Sequence, residues 1–196
     1  MGITDKPSVS AEALASTVER RRGQDVPAGA AVAIIRCLDP VESVLLVRRA
    51  NNRRDPWSGH FAFPGGRKDD DDISIFATCT REVEEETGIA LSPAELVSVL
   101  PPQPAGRRLL APVLVQPFLF EVSRRPAVCP AASEIESYFW LETDWFRDSA
   151  NHHVTEVIPG VQRPVFPVAD YYIWGFTYAV LCSLLEVACP SVGEGR

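Results

Sequence analysis

Gly65-Gly66-Arg67-Lys68-Asp69 and, further along the same stretch, Arg81-Glu82-Val83-Glu84-Glu85-Glu86-Thr87-Gly88-Ile89 decide the fold of this chain. On a helix of 3.6 residues per turn, Glu82, Glu85 and Glu86 are at positions i, i+3 and i+4 and therefore share one face. Three carboxylates this close repel one another unless a cation lies between them. Hard divalent cations prefer oxygen ligands, and Mg²⁺ is typically bound by carboxylates together with substrate phosphates. The stretch therefore predicts a divalent metal site carried by a helix.

The residues around the glutamates have the other marks of a helix. Apolar residues recur at helical spacing and form a stripe on the side away from the glutamates: Phe76, Cys79 and Val83. Arg81 lies four residues before Glu85 and is expected to hold its carboxylate. Asp72 or Ser74 is expected to cap the start, and Gly88 stands where a left-handed residue closes a helix. The alternative, a solvated acidic helix without function, explains neither the preceding glycine turn nor the spacing of the charged residues.

This spacing resembles the Nudix box, the signature of Mg²⁺-dependent pyrophosphohydrolases. The matching residues are Gly66, Arg81, Glu82, Val83, Glu85, Glu86, Gly88 and Ile89. Asp72 stands where the box has its first glutamate, and eight residues, one more than in the box, separate it from Arg81. Because an aspartate is one methylene shorter, we expect its reach to a metal or to Arg81 to differ. The extra residue precedes the helix and leaves the spacing of the three later glutamates intact.

The residues before the box resemble the motif found upstream of it in a Nudix subgroup that cleaves coenzyme A. The matching residues are Leu45, Leu46, Arg49, Ala50, Arg54, Gly59 and the run from Phe63 to Gly66. This chain departs from the motif at Val47, where threonine is expected, and by four residues in place of three between Arg54 and Gly59. The segment from Tyr172 to Thr177 also resembles this subgroup.

The resemblance implies an active site and a reaction. The metal ligands would be Glu82, Glu85 and Glu86, helped by the carbonyl of Gly65, and the ion would be Mg²⁺ or Mn²⁺. Arg81 would support these carboxylates, and water would attack a phosphorus of a diphosphate. The general base would be one of the box carboxylates or a loop acid beyond the box, for which Glu134 is the candidate.

Two arginines are the candidates for contacts with the substrate. Arg49 and Arg54 lie between a predicted strand and the box, and a guanidinium group binds phosphate oxygens bidentately. For His60, close to the glycine turn, a structural or solvated role is favoured over contact with substrate. For Trp57, packing under the loop is favoured over stacking on a base.

Composition predicts a single enzyme domain. The 196 residues, 46% of them hydrophobic, are enough to bury a core without disulfides or structural metals. We divide the chain into an N-terminal arm and helix (1–24), a Nudix domain (25–190) and a tail (191–196). Five scattered cysteines without a CxxC pair argue against a disulfide framework and against structural zinc.

Charge and hydropathy limit the partners. The net charge of −7 disfavours a nucleic-acid binder but not a small diphosphate substrate. The longest apolar stretch, 173–187, is shorter than the roughly 20 residues that cross a bilayer. No signal peptide or peroxisomal ending is recognised, so we expect a cytoplasmic protein without a membrane partner. The apolar C-terminal helix is compatible with a homodimer.

The pattern of elements predicts an α/β fold, an α/β/α sandwich with a mixed sheet, as the resemblance also implies. We expect helices at 10–22 and 173–187 beside the box helix, and a loop at 101–106. Expected strands are 30–36, 43–48, 96–100, 113–122 and 138–141, with a hairpin formed by 154–157 and 165–168.

Three functions are consistent with the sequence. The first is hydrolysis of coenzyme A or its derivatives, and the second is the same chemistry on ADP-ribose, a dinucleotide or a damaged nucleotide. The third is a nucleotide-binding module without turnover, whose signature would be loss of the box glutamates. All three glutamates are present, which favours an enzyme.

Overall fold

The computed structural model describes residues 27–52, 57–106 and 112–190. The strands in these ranges are β1 (Ala30–Cys37), β2 (Ser43–Arg49), β3 (Phe61–Ala62), β4 (Gly65–Arg67), β5 (Leu96–Val99), β6 (Gln103–Ala105), β7 (Val113–Val122), β8 (Ile135–Glu142), β9 (His153–Ile158), β10 (Val161–Val168) and β11 (Tyr171–Trp174). The α-helices are α1 (Ile75–Thr87), α2 (Thr143–Arg147) and α3 (Gly175–Leu184), with short 3₁₀ turns at Pro93–Glu95 and Ser149–Asn151.

Strands β1 and β7 form the centre of a mixed sheet. They run parallel and stay in register from Ala30 opposite Val115 to Cys37 opposite Val122. The other pairs are antiparallel: β2 with β1, β3 and β8, β4 with β1, and β5 and β6 with β7. Strand β1 carries apolar residues on both faces, as expected for a strand covered on both sides.

The two faces of this sheet are covered by different helices. Alternate residues of β1 separate the two cores, with Ala33 and Ile35 on the side of α1 and Ile34 on the side of α3. The first core contains the buried residues Cys79 and Val83 of α1, and the second contains Leu181 of α3. This arrangement confirms the predicted α/β/α sandwich with a mixed sheet.

A second, three-stranded sheet of β9, β10 and β11 adds to the core of α3. Its strands are antiparallel, in the order β11-β10-β9. Phe166 of β10 and Ile173 of β11 are fully buried and pack in the α3 core. The C-terminal part of the chain is therefore anchored to the main sheet.

The predicted elements within the described residues are present, but several bounds differ and one predicted loop is a strand. The C-terminal helix begins at Gly175 and not at Ile173, because Tyr171–Trp174 pairs with β10 as a strand. Residues 103–105, expected in a loop, form β6 beside β7. The predicted hairpin is present but longer, and the predicted helix 10–22, the arm and the tail lie outside the described residues.

Two further observations concern the composition. All five cysteines are free thiols, three of them buried. In the part of the chain that the structure describes, no helix is long and apolar enough to cross a membrane.

Candidate active site

The glycine turn brings β4 directly against the box helix. Gly65 has a φ of 144°, and a Cβ there would overlap the carbonyl oxygen of Ala31 on β1. At Gly66 a Cβ would overlap the carboxylate of Glu82. Both positions therefore need glycine for a close approach, and the second approach is to a predicted catalytic residue.

Helix α1 is fixed at both ends by local hydrogen bonds. Of the two predicted caps, Ser74 is the one that acts, because its Oγ accepts a hydrogen bond of 3.1 Å from the amide of Ala77. Gly88 adopts a φ of 71° and donates its N–H to the carbonyl of Glu84. These caps set the length of the helix and hence the place where the glutamates leave it.

Asp72, free from capping, binds Arg81. Nε and Nη2 of Arg81 donate to the two carboxylate oxygens of Asp72 at 3.0 and 2.9 Å, and Thr78 Oγ1 adds a donor at 2.9 Å. These contacts hold the pKa of Asp72 well below its usual range, and those from Arg81 have the largest effect. The same pairing raises the pKa of Arg81. The aspartate that departs from the box thus fixes the orientation of Arg81.

Arg81 also contacts two of the three box glutamates. Its Nη1 donates to Glu85 Oε2 at 2.8 Å, and its Nη2 lies 3.1 Å from Glu82 Oε1. Glu85 is mostly exposed, whereas the side chain of Glu82 is only 16% exposed. Burial raises the pKa of Glu82, with Glu85 adding to the rise and Arg81 opposing it. A single guanidinium group therefore holds the acidic face together.

Glu86 is the buried member of the set, with 2% of its surface exposed. Its Oε2 accepts a hydrogen bond of 2.9 Å from the amide of Gly65, and Nη1 of Arg49 lies 3.7 Å from its Oε1. Burial raises the pKa of Glu86 to about 7, although Gly65 and Arg49 both favour the ionised form. Glu86 thus connects the box helix to the glycine turn and to the arginine of the upstream segment.

The loop before β8 brings Glu134 to the same cluster. Two backbone hydrogen bonds attach this loop to the end of α1, from Cys129 N to Thr87 O at 2.8 Å and from Ala131 N to Glu86 O at 2.9 Å. The carbonyl of Glu134 accepts a bond of 2.7 Å from the amide of Ala50. The Glu134 carboxylate is exposed, and its charge raises the pKa of both Glu82 and Glu86. The structure therefore brings together candidates that are far apart in sequence.

One predicted residue and one contact need separate mention. Arg54 lies outside the described residues. For Asp72 the sequence left open whether it reaches a metal or Arg81, nine positions away, because the reach across the turn depends on how residues 69–74 fold; in the structure it binds Arg81. The only signal for this contact in the sequence was the place of Asp72 in the box.

The acidic cluster has the donors that a divalent cation requires. Within residues 27–52, 57–106 and 112–190, no three acidic, histidine or cysteine side chains converge on one point. Instead Glu82 and Glu85 contact Arg81, and Glu86 contacts Gly65. The donors are all oxygens on a rigid scaffold, and the buried Glu86 lies in the field of two other carboxylates, so the residues fit a hard cation.

The chain is similar to known proteins of one domain family. The model of the NUDIX domain matches residues 27–160. The chain is 27% identical over 183 residues to the mitochondrial coenzyme A diphosphatase NUDT8 of Mus musculus, a match that covers 90% of this chain and 85% of that protein. It is 29% identical over 150 residues to the peroxisomal coenzyme A diphosphatase ndx-8 of Caenorhabditis elegans, covering 76% and 62% of the two chains.

Solved structures share the fold. A MutT/nudix family protein from Enterococcus faecalis superimposes with a TM-score of 0.58 at 15% identity, over 89% of this chain and 67% of that one. A NUDIX hydrolase from Alicyclobacillus acidocaldarius gives 0.54 at 18% identity, over 81% and 91%. With the domain match extending over more than half of its length, the chain belongs to the Nudix hydrolase family.

Proposed function

We propose that this Nudix hydrolase is a metal-dependent pyrophosphohydrolase that cleaves the diphosphate linkage of coenzyme A or its derivatives. The observation that carries the proposal is the approach of Arg49 to Glu86, at 3.7 Å. Arg49 belongs to the segment that resembles the coenzyme A subgroup, and Glu86 belongs to the box. Both resemblances therefore meet in one site. The similarity to two coenzyme A diphosphatases supports the same substrate class.

The metal would be Mg²⁺ or Mn²⁺, held by the carboxylates of Glu82, Glu85 and Glu86 with the carbonyl of Gly65. When bound, such an ion neutralises charge on phosphate oxygens and lowers the pKa of an attacking water. The positive charge of Arg49, 3.7 Å from Glu86, opposes the rise of the Glu86 pKa only in part. Burial and two neighbouring carboxylates raise its pKa against the effects of Arg49 and of the Gly65 amide.

The remaining residues would position and activate the reactants. The guanidinium groups of Arg49 and Arg54 would grip substrate phosphate oxygens, since a planar fork of donors fits them. Arg81 would keep Glu82 and Glu85 in place through the contacts described above. Glu134, exposed and close enough to influence Glu82 and Glu86, would take the proton from water as the general base.

The test is a substrate panel with products resolved by mass. Coenzyme A, ADP-ribose, diadenosine polyphosphates and nucleoside triphosphates would each be incubated with Mg²⁺, with Mn²⁺ and with EDTA. We expect preferential cleavage of coenzyme A to 4′-phosphopantetheine and adenosine 3′,5′-bisphosphate. This activity should be lost when EDTA is added and in the Glu85→Gln variant.

Other outcomes would change the assignment. Cleavage of a different diphosphate with coenzyme A untouched would keep the chemistry and replace the substrate. Activity that survives complete removal of divalent ions would contradict the metal requirement. Tight nucleotide binding without turnover in any combination would favour a binding module.

A further inference from the structure

Three aromatic side chains from two distant segments meet beside the glycine turn. The ring of His60 stacks on Tyr171 with centroids 5.6 Å apart and 28° between the planes. It also lies 5.1 Å from the ring of Trp174, tilted by 58°. All three side chains are partly exposed. We name His60, Tyr171 and Trp174 the aromatic cluster.

The aromatic cluster is attached directly to the active site. The amide of Arg49 donates to the carbonyl of His60 at 3.0 Å, and the amide of Gly59 donates to the carbonyl of Arg49 at 3.1 Å. The side chain of Arg49 in turn reaches Glu86. The backbone of Arg49 therefore joins the segment that carries His60 to the residue whose side chain reaches Glu86.

An ion pair fixes the C-terminal half of the cluster in this place. Nη1 and Nη2 of Arg48 donate to the two carboxylate oxygens of Asp170 at 2.9 and 3.1 Å, and Nε of Arg48 donates to Gly59 O at 3.3 Å. Asp170 directly precedes β11, which carries Tyr171 and Trp174. This two-pronged contact, although exposed, sets the position of β11 relative to Arg49.

The C-terminal half of the cluster lies beyond the residues that match the NUDIX domain, which end at residue 160. The common hydrolytic chemistry of the domain gives no reason for it. Packing of β11 against β3 gives one reason, but such packing is best served by fully buried residues such as Ile173. Tyr171 also stacks on Tyr172, with centroids 4.7 Å apart and 24° between the planes. The exposed parts of the rings of the cluster instead offer a surface to a flat ligand.

We propose that the aromatic cluster is the subsite for the planar base of the substrate, a purine in a nucleotide diphosphate. Asp170 and Arg48 are the residues that hold the cluster in place. The assignment rests on the proposed function, since it needs a nucleotide substrate. Purine rings stack on the faces and edges of histidine, tyrosine and tryptophan. Arg49, between the cluster and Glu86, then holds the diphosphate while the base lies against the rings.

The test compares coenzyme A with an abasic analogue that carries hydrogen in place of adenine. Tyr171→Leu removes the ring but keeps an apolar side chain, and Tyr171→Phe keeps the ring. Tyr138→Leu, at an exposed tyrosine of β8 outside the cluster, is the matched control. We expect Tyr171→Leu to raise KM for coenzyme A by about tenfold with kcat within about twofold, in line with the stacking of one base. Tyr171→Phe and Tyr138→Leu should keep the wild-type KM, and KM for the abasic analogue should be equal in all four proteins.

His60→Ala is a second variant. Because it changes a different segment, it tests the assignment even if Tyr171→Leu does not fold. It should raise KM for coenzyme A in the same selective way. An unchanged KM for coenzyme A in both variants, or an equal rise for the abasic analogue, would overturn the assignment and leave the cluster with a packing role. Failure of the proposed function has a different signature, because the wild-type enzyme would then leave coenzyme A uncleaved.

Discussion

Replacement of Gly66 by alanine is expected to disable hydrolysis without unfolding the protein. A Cβ at this position would overlap Oε2 and Cδ of Glu82 and would lie 2.6 Å from Oε1. The atoms that must yield are at the end of a flexible side chain, so the backbone can stay where it is. The displaced group is a carboxylate of the proposed metal site, so we expect the substitution to lower the rate of hydrolysis.

The size of the effect follows from the displacement. Ordinary contact with a Cβ begins near 3.4 Å, so even Oε1, at 2.6 Å, has to retreat by about 0.8 Å. A misplacement of about 1 Å at a reacting centre costs on the order of 100-fold in rate. The free energy of unfolding should change by about 1 kcal/mol or less, because no core atom moves and alanine restricts the unfolded chain. We therefore expect kcat for the best substrate to fall about 100-fold at a nearly unchanged Tm.

Gly65→Ala is the contrasting variant, one residue away. Its Cβ would overlap the backbone oxygen of Ala31 and lie 2.6 Å from Val32 Cα, and its φ of 144° belongs to a region that favours glycine. The strained backbone alone costs about 1–3 kcal/mol, and the overlap with β1 adds to it. At 2–4 °C per kcal/mol, a loss of about 3 kcal/mol lowers Tm by roughly 6–12 °C.

Both variants would be followed by steady-state kinetics and by thermal unfolding monitored with circular dichroism. A Gly66→Ala enzyme with wild-type kcat would show that the position of the Glu82 carboxylate does not matter. A large fall in Tm for Gly66→Ala, equal to that of Gly65→Ala, would refute the separation of chemistry from stability.

Three further predictions concern the carboxylates. The pKa of Asp72 is lowered by folding, so its stabilising effect is present above its unfolded value near 4 and is lost as pH falls through the folded pKa. Asp72→Asn should reduce the free energy of unfolding by about 2 kcal/mol at pH 7 and by less at pH 3, measured in urea; equal losses at both pH values would contradict this linkage. Glu85→Gln should lower kcat by about 100-fold or more while Tm stays unchanged, since the side chain is 58% exposed, and an unaltered rate would remove Glu85 from the site. Glu134→Gln should lower kcat by about 100-fold if it is the base, with the exposed Glu142→Gln as control; similar rates for these two variants would return the role to a box carboxylate.

The sequence was most informative where the contacts are local. The acidic face follows from helical spacing alone, and the cap at Ser74 and the left-handed Gly88 depend on neighbouring residues. The burial of Glu86 was not predictable in this way, because it arises from the approach of β4 and of the loop before β8, which are far apart in sequence. The three glutamates differ in how deeply they are buried, and tertiary packing decides that depth.

The wrong boundary of the last helix has a similar cause. The run from Ile173 onward is mostly apolar, and periodicity alone does not tell a buried strand from a buried helix in such a run. The pairing of β11 with β10, from Val165 opposite Trp174 to Val168 opposite Tyr171, selects the strand. This pairing also places Tyr171 and Trp174 where they meet His60, a contact that periodicity within one segment does not indicate.

The departure of the box at Asp72 is explained by the turn that contains it. The shorter side chain and the extra residue are two departures from the box in the sequence, and with both of them Asp72 still reaches Arg81. Asp72 Oδ2 accepts a hydrogen bond of 2.9 Å from the amide of Asp69, and Asp72 N donates to Asp69 O at 3.1 Å. This compact turn carries the carboxylate to Arg81, where both oxygens are bound. Asp72 thus anchors Arg81 in the position from which it contacts Glu82 and Glu85.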